Sequence, residues 1–144
     1  MKKFLIIFIC LFSLTGCNNN KLSLDKEFYK ESKFIDADSS TINNLQNQES
    51  TFLVFTYNNY CTLEIPCEDI FKEVMNKHKL SMYYLPYEEM EKTFIHNTVA
   101  YAPSVIIISN GKIIAYLDSE KEEDLPKYQD SKEFEKWLKK YINL

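Results

Sequence analysis

Two apolar runs, Ser104–Ser109 (SVIIIS) and residues 112–117 (KIIAYL), are separated only by Asn110 and Gly111. Asn-Gly is the preferred pair for a two-residue type I′ turn, which requires positive φ at both central positions. The pair commits this stretch to an antiparallel hairpin. It also occupies one of only two glycines in the chain, the other being Gly16. Gly-rich phosphate loops of the P-loop or dinucleotide type are excluded by the same count.

The rest of the pattern surrounds that hairpin with alternating elements. Thr51–Tyr57 (TFLVFTY) is aromatic and β-branched enough for a buried central strand. Residues 33–37 and 81–85 (SMYYL) give two further short strands. Asp38-Ser39-Ser40 can cap a brief helix holding Ile42 and Leu45. From Pro66 to Lys79 the period becomes helical, with Ile70, Phe71, Val74, Met75 and His78 on one face and Glu68 and Asp69 in the first turn. Tyr87, Met90, Glu91 and Phe94 fit a third helix, and residues 120–129 read as an acidic, proline-containing loop. Asp130, with Glu133 three residues on, can cap a last helix whose apolar stripe is Phe134, Trp137, Leu138 and Tyr141. The expected order is β-α-β-α-β-α-β-β-α, an α/β domain with a central mixed sheet flanked by helices.

The first sixteen residues have a separate character. Lys2 and Lys3 precede an apolar run from Phe4 to Leu14, then Thr15 and Gly16, the anatomy of a secretory signal too short to span a bilayer. Leu14-Thr15-Gly16-Cys17 resembles the lipobox of bacterial lipoproteins, which implies acylation of Cys17 and a lipid anchor on the extracytoplasmic face of a bacterial membrane. Residues 17–31, polar and without periodicity, are then expected as lipidated N-terminus and tether, and residues 32–144 as the domain. Loss of Lys2 and Lys3 deepens the formal charge from −4 to −6, which argues against a nucleic-acid partner. Cys10 leaves with the leader and Cys17 carries lipid, so Cys61 and Cys67 are the remaining thiols, in a compartment where disulfides persist.

The order of elements resembles that of the thioredoxin-like superfamily, and particular residues carry the resemblance. Phe52 to Cys61 (FLVFTYNNYC) is similar to the central strand of thioredoxins running into the aromatic-Cys that opens their active-site motif, with Tyr60 in place of the usual tryptophan. Ala102 to Lys112 (APSVIIISNGK) is similar to the family's cis-proline strand and hairpin, and Ser131 onward to its last helix. The likeness spans residues 32–144. It implies thiol-disulfide exchange with Cys61 attacking and Cys67 resolving, and a cis Pro103 that sits with Ala102 and Tyr60 as a substrate-binding edge beside the cysteines. The implied partners are cysteine-containing exported proteins or a redox donor protein, met by a monomer that needs neither cofactor nor metal.

Two departures stand out. Five residues separate Cys61 from Cys67 where the family has two, and Phe55 stands in place of the family's buried acid. A single helix starting at Cys61 would hold the two Cα atoms roughly 10 Å apart, beyond disulfide reach. A loop over residues 62–65 with Pro66 at the first helical position lets the thiols approach, and this is the arrangement expected here. A structural disulfide, unpaired thiols on a non-catalytic fold, and peroxidase chemistry are the alternatives. The last is disfavoured because the chain has no arginine and no Thr/Pro ahead of Cys61. His78 and His96 have no cysteine or carboxylate at metal-ligand spacing.

Overall fold

The computed structural model describes residues 21–58 and 66–144. The expected leader (residues 1–16), Cys17, Tyr60 and Cys61 lie outside the described residues.

Five strands form one mixed sheet: β1 (Lys33–Asp36), β2 (Thr51–Tyr57), β3 (Ser81–Pro86), β4 (Ser104–Ser109) and β5 (Lys112–Tyr116), in the spatial order β1-β3-β2-β4-β5. β2 runs parallel to β3, and β3 parallel to β1. β4 runs antiparallel to β2, with Thr56 opposite Ser104, and β5 antiparallel to β4. The hairpin has the backbone its sequence demands, Asn110 at φ 51° and Gly111 at φ 69°. A register shift between Ile107 and Ile108 leaves Ile114 unmatched in the edge strand, and its side chain is exposed.

Among the described residues five α-helices cover the sheet: α1 (Ser39–Gln46), α2 (Cys67–His78), α3 (Tyr87–Met90), α4 (Leu125–Gln129) and α5 (Ser131–Tyr141). Phe55 and its α2 neighbour Phe71 meet edge to face at 5.1 Å, and Phe71 in turn touches Phe134 of α5 and Tyr128 of α4. Successive strand residues face opposite ways, so Phe52 points to the other side, where it meets Tyr83 and Phe28. The core therefore has two layers, one on each face of β2, whose first six residues are all buried.

Caps fix where the helices start. Asp38 accepts from Thr41 N at 2.8 Å, and Asp130 from Lys132 N at 2.7 Å and Glu133 N at 3.4 Å, each cap contributing about 1 kcal/mol. Ser39 at the start of α1 also donates through both its N–H and its hydroxyl to Glu89 of α3.

Four sequence expectations need correction. The stretch 21–31 is part of the packed unit: Leu24 and Phe28, four residues apart, are both in the core, and Lys26–Tyr29 forms a 3-10 turn. Leu22 pairs in parallel with Ile142, so the folded unit begins well ahead of Ser32 and no tether spans the whole of 17–31. The acidic segment 120–129 ends in α4, with Pro126 in the first turn, where a missing N–H costs nothing. The third helix is a single turn followed by a 3-10 turn (Phe94–Asn97), because Thr93 leaves the helix and accepts from Ile95 N. Finally, α2 begins at Cys67, and Pro66 is its cap with ψ 125°.

α2 and α5 are bound by a buried carboxylate as well as by apolar contact. Glu135 accepts from Lys77 at 2.8 Å, lies 2.8 Å from His78 Nε2 and also accepts from Lys139. The hydrogen bond from Lys139, then those from Lys77 and His78, hold its carboxyl at about 2, below the ordinary 4.5. A depressed acid stabilises fully above its unfolded value and loses that contribution as pH falls through the folded one. Stability to urea should therefore fall between about pH 4.5 and pH 2, and Glu135→Gln should be less stable at pH 7 with a shallower acid limb.

Candidate functional site

The ends of three segments converge beyond the C-terminal edge of β2. Tyr57 and Asn58 leave the strand, Cys67 opens α2, and residues 101–103 enter β4. Chain direction brings them together, since β2 runs toward this end and both α2 and β4 start from it.

The Ala102–Pro103 peptide is cis. It is held from both sides: Asn58 Nδ2 donates to the Ala102 carbonyl at 3.0 Å, and the Tyr128 hydroxyl to the Pro103 carbonyl at 2.9 Å. Two residues earlier, the Tyr87 hydroxyl donates to the Ala100 carbonyl at 3.0 Å. Ala102 and Pro103 are half-buried while Tyr101 beside them is exposed, so an aromatic face borders the turn on its solvent side. Carbonyls expected to serve a substrate chain thus already accept one internal hydrogen bond each, leaving the second lone pair of each oxygen.

Cys67 is only 4% exposed and belongs to the core. Because Pro66 has an extended ψ, one unbroken helix through both cysteine positions is excluded. A thiol at the first position of α2 lies in the positive field of the helix N-terminus, which favours thiolate. Burial and the adjacent carboxylates of Glu68 and Asp69 oppose this.

Behind the cysteine stands a pair that sequence inspection does not reveal. The Tyr84 hydroxyl donates to Glu68, and the Tyr84 ring stacks on Tyr57 with centroids 3.8 Å apart and planes 9° from parallel. Burial first, and then the bond to Glu68 and its charge, raise the Tyr84 hydroxyl well above the ordinary tyrosine range. It therefore stays a donor at any physiological pH. Tyr84→Phe should keep the stack but lose the bond to a charged acceptor, lowering stability to urea by about 1.5 kcal/mol.

Phe55, which replaces the buried acid that the family resemblance implies, is packed among Phe34, Tyr57, Phe71 and Tyr84. No carboxylate could ionise there without large cost. The next residue, Thr56, faces the opposite side of the sheet. Its hydroxyl is the one buried side-chain polar atom without a hydrogen-bond partner among the described residues. Thr56→Val should raise stability by about 1 kcal/mol, read as a higher urea midpoint at unchanged slope. Among the described residues no group of His, Cys, Asp and Glu could hold a metal ion.

No protein-family model and no curated protein matches the chain. Solved structures do. A thioredoxin from Schistosoma mansoni matches with a TM-score of 0.53 and 21% identity, over 77% of this chain and 97% of its own. The reduced thioredoxin pre-protein of the same organism gives 0.51 and 20%, over 78% and 99%. The chain has the thioredoxin fold. The cis Ala102–Pro103 turn and the start of α2 lie at the same end of its sheet. Asn58, Tyr84 and Tyr128 are residues of this site that the sequence did not single out. Only Asn58 had a sequence signal, as a polar residue ending an apolar strand. Tyr84 and Tyr128 reach partners 16 and 25 residues away, which no local pattern encodes.

Proposed function

We propose that the protein is a lipid-anchored thiol-disulfide oxidoreductase acting on cysteine-containing exported proteins, with Cys61 as attacking thiol and Cys67 as resolving thiol. The observation that carries this is the position of Cys67: a buried cysteine as first residue of α2, at the sheet end that also holds the cis Ala102–Pro103 peptide of a thioredoxin fold. In the reducing direction the Cys61 thiolate attacks a substrate disulfide, forming a mixed disulfide and expelling one substrate thiolate. The Cys67 thiolate then attacks the Cys61 sulfur. The second substrate thiolate leaves, two electrons have passed to the substrate, and Cys61 and Cys67 are joined. The oxidising direction is the reverse.

Phe55 favours a second reading. With an aromatic cluster in place of a proton acceptor, the resolving thiol has no nearby base in the strand, which suits a non-catalytic module that binds partners at the same edge. Insulin reduction separates the two. A redox enzyme, reduced beforehand, precipitates the insulin chains faster than its Cys61→Ser variant, whereas equal rates for the two leave the binding module.

Anchoring through Cys17 is the other half of the proposal. Its support is the lipobox-like Leu14-Thr15-Gly16-Cys17 itself; among the described residues no helix is long and apolar enough to cross a membrane. Incorporation of a fatty-acid probe should be lost in Cys17→Ala, and unchanged labelling of that variant would refute the anchor.

A further inference from the structure

Charge is segregated along the axis of the sheet. At the end where β2 begins, the described segments 21–33, 46–51, 75–82, 108–113 and 135–144 come together. Asp25 N bonds Thr51 O, Asn110 N bonds Ser50 O, and Leu22 N bonds Tyr141 O. These segments carry ten lysines, all exposed, and five carboxylates. Three of the five carboxylates are already engaged: Glu135 by Lys77 and Lys139, Glu31 by Lys33, and Asp25 by Ser50 and Thr51. The remaining described residues, toward the Cys67 and Pro103 end, carry five lysines and fifteen carboxylates. A chain with a formal charge of −4 thus presents one strongly basic end and one strongly acidic end.

The N-terminal segment enters at the basic end and is clamped there. Leu22 pairs with Ile142, Asn143 N donates to Leu22 O at 2.8 Å, and Asn143 Nδ2 reaches both Lys21 O and Ser23 Oγ. Three residues separate Lys21 from Cys17, a reach of at most about 14 Å even fully extended. An acyl group on Cys17 would therefore bring the basic end to the bilayer and leave no length for the domain to turn over.

We infer that the basic end, around Lys26, Lys112 and Lys140, is a docking surface for anionic phospholipid headgroups, and that it holds the cysteine end facing away from the membrane. Lysines near an anionic leaflet are attracted within a Debye length, while the acidic end is repelled, so both halves of the charge pattern favour one orientation. β2 alone, seven residues long, sets the two ends about 20 Å apart. The orientation rests on the proposed Cys17 anchor; the headgroup surface does not.

The test uses a chain starting at Cys17 and carrying Cys17→Ser, which contains every element of the fold. It is sedimented with vesicles of phosphatidylglycerol and phosphatidylcholine in equal parts, and with phosphatidylcholine alone, at low and high salt. Binding is expected only to the anionic vesicles and only at low salt. Lys26→Glu/Lys140→Glu should reduce the bound-to-free ratio by tenfold or more, Lys26→Arg/Lys140→Arg should preserve it, and Lys121→Glu/Lys132→Glu at the far end should change it less than twofold. Equal loss from both charge-reversed pairs, binding to neutral vesicles, or no binding to either would overturn the surface. The anchor fails separately, through the fatty-acid probe at Cys17.

Discussion

A Cys67→Ser chain is expected to accumulate mixed disulfides with its substrates, visible as high-mass bands on non-reducing gels after acid quenching, while Cys61→Ser gives none. The reason lies in the placement of the second thiol. Cys67 is the first residue of α2 and belongs to the core, so it is screened from external disulfides. Such a thiol suits resolution from within. Removing it stops the reaction after the first bond has formed, and insulin reduction should fall to the level of the Cys61→Ser control. Trapping by Cys61→Ser instead would reverse the two roles. No trapping by either variant, together with a wild-type disulfide that resists mild reductant, would make the pair structural and favour the binding module.

Gly111→Ala should be the most damaging single change to the hairpin, at about 3 kcal/mol. Two effects combine. At φ 69° an L-residue with a Cβ carries a penalty of about 1–2 kcal/mol. The added Cβ would also lie 2.1 Å from the backbone oxygen of Gln46, at the end of α1, so the turn or the helix must shift, and forced overpacking costs about 1–3 kcal/mol. Asn110→Gly, at the neighbouring positive φ, has no Cβ to place and should be nearly neutral. Urea denaturation of the two variants checks the contrast: comparable losses would show that the approach to Gln46 is not what constrains Gly111.

The hairpin and the cis-proline turn were legible because each depends on a few adjacent residues. Asn110-Gly111 admits one turn geometry, and Ala102-Pro103 ahead of an apolar strand carried a family pattern. The last helix was equally plain, since Asp130 and the Phe134, Trp137, Leu138, Tyr141 stripe are local signals. Segment 21–31 reads as a tether because Leu22, Leu24, Phe28 and Tyr29 are scattered among charged residues without a period, and nothing nearby reveals that Tyr83 and Phe52 pack against Phe28. Segment 120–129 was misjudged because acidity and Pro126 read as a loop, although proline is welcome in a first turn. The surroundings of Cys67 were illegible for a different reason. Glu68 is a first-turn acid in the sequence, and only folding shows it gripped by a tyrosine from β3. The opposition of basic and acidic ends was hidden in the same way, since lysines from four separate segments are gathered by topology and not by sequence.

The pairing of Leu22 with Ile142 brings the two ends of the described chain side by side. Connectivity and architecture are therefore separable here. A short linker from Leu144 to Lys21 would close the backbone into a ring, and reopening that ring in the exposed stretch 120–123 would give a circular permutant with the same sheet and the same helices. Its new start would sit at the opposite pole, so an acylated cysteine grafted there would bring the Cys67 and Pro103 end to the bilayer.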